Sequence, residues 1–171
     1  FRKPDTAVCM GVDTGIKDSF FLSDGRSIGS MKEVIDYYHH DVEPAFAQLS
    51  SLRNKKRSIS HYVRHHKNLP VDVRRSLIQK MDRLEHMIRT ADAPYRKKRA
   101  YYNMLNHEIK QNVKTYMSFI THDTLTVLEL LDIKEFSKSR RLNGDLSAFA
   151  RGRLQQKLMS ELNWYGYDYV E

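Results

Sequence analysis

Apolar and polar positions change their texture twice along the chain. Ala7-Val8-Cys9-Met10-Gly11-Val12 is an apolar run closed by the turn-forming Asp13-Thr14-Gly15, and it predicts a first strand. Phe20-Phe21-Leu22-Ser23 predicts a second and Arg26-Ser27-Ile28-Gly29 a third, with Asp24-Gly25 between them as a hairpin turn. From Ser30 onward apolar residues recur at helical spacing, and Ser30 with Glu33 forms a capping-box pattern. Pro44, Pro70 and Pro94 divide this helical region into predicted helices at about 31–42, 45–66, 71–91 and 95–121. In the third, Val73, Leu77, Met81, Leu84 and Ile88 make one stripe and the basic residues largely take the other face. Leu105, Ile109, Val113, Tyr116 and Ile120 do the same in the fourth.

Leu125-Thr126-Val127-Leu128-Glu129-Leu130-Leu131 is short, apolar and rich in branched residues, which predicts a buried parallel strand. A polar stretch, Lys134 to Gly144, comes next. Asp145 or Ser147 can cap a helix running to about Tyr165 and closed by Gly166. Tyr167-Asp168-Tyr169-Val170-Glu171 then alternates like a last strand. The order β-β-β, helices, β, α, β predicts one α/β domain over 1–171. Its expected form is a mixed sheet with helices on its faces, the helical block from about 31 to 100 being an insertion between the third and fourth strands.

Composition sharpens this picture. A chain of 171 residues with 40% hydrophobic content can build a real core, and eighteen aromatic residues argue against disorder. No apolar run approaches the ~18 residues of a membrane span, so no membrane partner is expected. The single Cys9 excludes a disulfide framework and any internal Cys-only zinc site, and fits a cytoplasmic protein. The first residue is Phe1 rather than Met, and the chain reads as a piece of a longer product.

Charge is strongly segregated. Between Arg53 and Arg99 fifteen basic residues face four acids, a net +11, while the rest of the chain is −3. Such a block points to a polyanion, most simply nucleic acid; a solvated helical face is the competing reading. The candidate contacts are Arg53, Lys55, Lys56, Arg57, Arg64, Lys67, Arg74, Arg75, Arg96, Lys97, Lys98 and Arg99. Lys134, Arg140 and Arg141, in the polar stretch beyond the fourth strand, are further candidates for substrate phosphates.

Two carboxylates stand apart from the surface acids. Asp13 ends the first strand and Glu129 lies within the apolar run of the fourth. A carboxylate in a buried strand is costly unless paired, hydrogen-bonded or metal-bound. Two on neighbouring strands repel, and Mg²⁺ or Mn²⁺ relieves that repulsion through hard oxygen ligands and water. The bland reading makes Asp13 a turn cap and lets Glu129 face solvent or a lysine.

Gly11-Val12-Asp13-Thr14-Gly15-Ile16-Lys17, followed by Leu22-Ser23-Asp24-Gly25, resembles the opening of the RuvC nuclease domain of transposon-encoded TnpB proteins. These are relatives of the type V CRISPR effectors. Thr126-Val127-Leu128-Glu129-Leu130-Leu131-Asp132-Ile133-Lys134 resembles the family's second acidic motif, whose glutamate falls on Glu129. Arg140-Arg141-Leu142 through Gln155, Leu158 and Asn163-Trp164-Tyr165-Gly166 resembles the helix and turn that follow it. The three blocks are collinear and lie at both ends of the chain; residues between 31 and 100 match in character alone. The resemblance implies an RNase H-like (RuvC) fold and an RNA-guided DNA endonuclease using Mg²⁺ or Mn²⁺, with Asp13 and Glu129 as two of three metal-binding acids. It implies guide RNA and target DNA as partners, held by their backbones, and a nucleoid-associated location.

Leu130 stands where the family has Asp. The family's four-cysteine zinc ribbon and third catalytic aspartate follow the strand matched by 167–171, so zinc is expected only there and cleavage by these 171 residues alone is not expected. Two other functions stay open: a nuclease-inactive RNA-guided DNA-binding protein, and a non-catalytic basic nucleic-acid-binding module. His61 and His65, spaced i, i+4 beside His66, lack an acid or Cys at ligand spacing and are expected near phosphate or solvent. Tyr37, Tyr38, Tyr101, Tyr102, Tyr165, Tyr167 and Tyr169 are expected half-buried over a sheet, with base stacking as the alternative. Cys9 is expected in the core. Asp168 is a minor candidate for a third acid.

Overall fold

The computed structural model describes residues 8–15, 18–129 and 144–170. The chain divides into two compact units, residues 1–35 with 103–171 and residues 36–102. The first holds a five-stranded mixed sheet: β1 (Val8–Thr14), β2 (Phe20–Leu22), β3 (Ser27–Ile28), β4 (Thr124–Leu128) and β5 (Tyr169–Val170), in the order β3-β2-β1-β4-β5. β1, β2 and β3 pair antiparallel, while β4 lies parallel to both β1 and β5. The hairpin between β2 and β3 turns at Gly25, whose φ of 87° is cheap for a residue without Cβ.

Helix α4 (Ala93–Met117) brings its stripe to the sheet unit, with Leu105, Ile109, Val113 and Tyr116 buried as expected. Tyr116 stacks at a tilt on Phe20, with centroids 5.6 Å apart, and its hydroxyl meets Thr126 Oγ1 at 2.8 Å. That bond satisfies two polar groups that the core would otherwise leave unpaired. Asn112 Nδ2 donates to Ser19 Oγ at 2.7 Å and fixes the β1–β2 connection to the same helix. Helix α5 (Gly144–Tyr165) buries Leu154, Leu158 and Leu162 completely, an i, i+4, i+8 stripe. It ends as expected at Gly166, with φ 72°: Tyr167 N–H reaches back to the Leu162 carbonyl and Gly166 N–H to that of Asn163, a Schellman arrangement.

Three expectations for the sheet are corrected. Met10, Val12 and Thr14 point inward, so alternation turns Cys9 outward, and it is exposed rather than in the core. β4 is not buried on both faces: Thr124, Thr126 and Leu128 are buried but Val127 is 37% exposed. Glu129 follows the last residue of β4 instead of lying inside the strand, and it is exposed.

The second unit is helical, and the helix that leads into it begins at Lys32 in the first. α1 (Lys32–Tyr37), whose Lys32 N–H donates to Ser30 Oγ, runs through a π-helical turn at Tyr38–Val42 straight into α2 (Glu43–His65). The expected break at Pro44 is absent because the proline sits in the first turn of α2, where a missing N–H costs no hydrogen bond. α2 and α3 (Val71–Arg89) pack as a helical hairpin around Leu49 and Leu84, while Val73, expected on the buried stripe, is 44% exposed. Lys56 and Arg89 both pair with Glu85, and Lys97 Nζ pairs with Asp41 at 2.9 Å.

Candidate metal centre at the ends of two parallel strands

β1 and β4 run in step from Val8 beside Thr124 to Val12 beside Leu128, and the Glu129 N–H continues the ladder to the Val12 carbonyl at 3.3 Å. The next residues in that register are Asp13 and Glu129. Because Val12 and Leu128 both point inward, alternation turns the two following side chains to the same outer face. Both acids are exposed, and together with Gly11, Phe21, Ser23 and Val127 they line a shallow open depression. The two carboxylates singled out at opposite ends of the chain thus meet at the carboxyl ends of adjacent parallel strands, where open α/β sheets place their ligands.

The neighbouring backbone is fixed by residues of the three sequence blocks that carry the resemblance. Ser23 Oγ accepts a hydrogen bond from the Gly11 N–H at 3.0 Å, and a Cβ at Gly11 would stand 3.2 Å from the Ser23 Cβ. Gly15 has the Asp18 carbonyl 2.5 Å from where its Cβ would be, so the turn after Asp13 closes tightly only with glycine there. From α5, Gln155 Nε2 donates to the Glu129 carbonyl at 3.2 Å, and Arg151 acts on the Glu129 carboxyl from one turn earlier. Gln155 belongs to the sequence block that carries the resemblance, whereas Arg151 is not singled out there, and its i, i+4 spacing from Gln155 is the available signal.

The Asp13 carboxyl shares a hydrogen bond with Glu129 and repels its charge, and slight desolvation adds to this. Together they hold the Glu129 carboxyl above its ordinary value, and Arg151 offsets part of the effect. Protonation of Glu129 therefore favours the folded protein, a contribution fully present below the unfolded glutamate value and lost as pH rises through the raised one. Asp13→Asn is expected to bring the Glu129 titration, followed by carbon-detected NMR, down toward an ordinary glutamate. The same variant should flatten the fall in melting temperature of the metal-free protein across that window. An unmoved Glu129 titration would show that the carboxyls do not interact.

Two hard carboxylates open to solvent are a donor set that fits Mg²⁺ or Mn²⁺, which keep several waters and take one or two protein carboxylates. Among the described residues no cluster of three His, Cys, Asp or Glu forms around a common point. Asp168 does not join the pair. Thr126 is level with Tyr169, which puts Asp168 beside Leu125, four residues or about 13 Å down the strand from Glu129.

Among the basic candidates, Arg53, Lys55, Arg57, Arg64, Lys67, Arg74, Arg75, Arg96, Lys98 and Arg99 are exposed. Lys56 and Lys97 are half-buried in ion pairs, which makes them braces of the helical unit more than free contacts. Arg96 pairs with Asp92 at 2.9 Å, and Arg53 Nη2 donates to the Tyr95 hydroxyl at 3.4 Å. Lys134, Arg140 and Arg141 lie outside the described residues. The rings of His61 and His65 lie 4.1 Å apart, and those of Tyr62 and His66 stack at the same distance. Tyr101 is buried, Tyr37, Tyr38, Tyr102, Tyr167 and Tyr169 are half-buried, and Tyr165 is exposed. No described helix is long and apolar enough to cross a membrane. No protein-family model matches the chain, and no curated protein matches it.

Proposed function

We propose that this chain is the RuvC-like part of an RNA-guided DNA endonuclease of the TnpB kind, hydrolysing phosphodiesters with Mg²⁺ or Mn²⁺. The observation that carries this reading is the pair Asp13 and Glu129, in step across β1 and β4 and facing solvent on one side of the sheet. A surface ion pair or a turn cap gives no reason for two like charges to share one strand end, whereas a divalent cation does. The strand order, with a helical block between the third and fourth strands, supports the RNase H-like reading of the fold.

In this reading Asp13 and Glu129 hold the cation, and Gln155 keeps the end of β4 against α5 so that the two carboxylates stay together. A bound Mg²⁺ or Mn²⁺ would supply an activated water and neutralise charge on the scissile phosphate. The exposed arginines and lysines of α2, α3 and the start of α4 grip the guide RNA–target DNA duplex by its phosphates, leaving sequence to base pairing.

The pair supplies two of the three acids the resemblance implies, so the test reads metal binding and not turnover. Titration of the whole chain with Mn²⁺, followed by the loss of the free-ion paramagnetic resonance signal, is expected to give one site that Mg²⁺ competes for. Asp13→Asn and Glu129→Gln should each weaken it by at least about tenfold, since even an outer-shell partner is worth about ten- to a hundredfold. Absence of binding, or binding unchanged in both variants, would overturn the assignment.

A further inference from the structure

On the sheet unit a second hollow opens between the C-terminal halves of α4 and α5, and it shares no residue with the depression at Asp13 and Glu129. Its volume is about 480 Å³, within the roughly 300–1,000 Å³ of small-molecule sites. Val113 and Met117 form an apolar floor. Lys110 and Lys114 stand on one wall, one helical turn apart, and Lys157 stands on the other. Lys157 is engaged by Glu161 of its own helix, whereas among the described residues neither Lys110 nor Lys114 pairs with a carboxylate. Two lysines with no carboxylate partner among the described residues thus line a hollow whose one acid, Glu161, is engaged by Lys157.

The aromatic groups at the rim make the hollow more than a patch of lysines. Tyr165, 57% exposed, and Tyr167 both line it. Tyr167 is held flat against His122, with ring centroids 4.6 Å apart and planes only 7° from parallel. An exposed tyrosine in the same hollow as two lysines offers a stacking surface for a planar ring and cations for its anion. A simple anion would leave the aromatic rim and apolar floor unused, and an apolar ligand would leave the lysines uncompensated.

We propose that the cleft between α4 and α5 binds a nucleoside phosphate, its phosphate held by Lys110 and Lys114 and its base laid against Tyr165. The ligand is either a free nucleotide or one unit of a single strand, and the chemistry of recognition is the same. This site stands independently of the metal centre.

Calorimetric titration of the whole chain with adenosine 5′-monophosphate, adenosine and inorganic phosphate tests it. The nucleotide is expected to bind one to one, more tightly than either of its halves. The double variant Lys110→Ala/Lys114→Ala should lose at least about tenfold, the low end for one hydrogen bond to a charged group. Tyr165→Ala should lose at least about fivefold in nucleotide affinity, the low end for one stacked base, and leave phosphate binding unchanged. All three side chains are at least partly exposed, so folding of the variants, checked by circular dichroism, is not at stake. A 5′-phosphorylated deoxythymidine decamer separates the sources. If its affinity falls in the double variant, the ligand is a strand; if only that of the mononucleotide falls, it is a free nucleotide, and either result supports the site. No binding of the nucleotide by the unaltered chain, or undiminished binding by the double variant, overturns it.

Discussion

Exchanging Arg53, Arg57 and Arg64 for glutamine is expected to cost several-hundredfold in affinity for duplex nucleic acid near 0.1 M salt. The three positions are four and seven residues apart on α2 and fall within an arc of roughly 40° at 100° per residue. All three are exposed, and among the described residues none of them is in an ion pair with a carboxylate. Each phosphate contact releases about 0.9 counterions from a duplex, so losing three should flatten the slope of log affinity against log salt by roughly 2.7. At about 0.1 M that release alone is worth roughly 500-fold. Fluorescence anisotropy of a labelled duplex between about 0.05 and 0.3 M salt reads both quantities. An unchanged slope would remove α2 from the interface and leave its charge as a solvated face.

The second large effect is on stability. Phe20 is fully buried in β2, level with Thr14 of β1 and Ile28 of β3, and its ring leans on Tyr116. Truncation to alanine removes the contact that joins the antiparallel strands to α4 and leaves a cavity that rigid strands cannot fill. Such changes cost about 3–5 kcal/mol, against a typical total of about 5–15 kcal/mol. A chain of this size should then melt roughly 6–20 °C lower. Phe20→Leu should cost much less, because most of the volume remains. Urea or thermal melts of the three proteins decide it, and a loss below about 1 kcal/mol for the alanine variant would mean that Phe20 is not in the core. The strand that Phe20 supports also carries Asp13, so the alanine variant should weaken Mn²⁺ binding as well.

Much of the architecture is written locally. Gly25 and Gly166 turn the chain where the dipeptides and helix end predicted, because a positive φ is open to glycine at little cost. The stripe Leu105, Ile109, Val113, Tyr116 is buried because residues at helical spacing share a face wherever that helix packs. Pro44 misled for a local reason too: proline marks a helix boundary in sequence, but the same ring is accommodated in the first turn of a helix, and here the preceding π-helical turn feeds straight into it.

The sequence by itself determined the element order, the separation of a basic helical block from a mildly acidic remainder, and the two unusual carboxylates. Each depends on spacing over a few residues or on composition. The tertiary structure decided which strand ends meet. The register that sets Asp13 beside Glu129 joins segments on either side of the helical block, and no local pattern encodes it. It also decided that Cys9 and Val127 face outward, that Lys56 and Lys97 are spent on Glu85 and Asp41, and that lysines from two distant helices line one cleft. The reason is the same in each case: which side of a strand is buried, and which charges find partners, depend on what packs against it after long loops have closed.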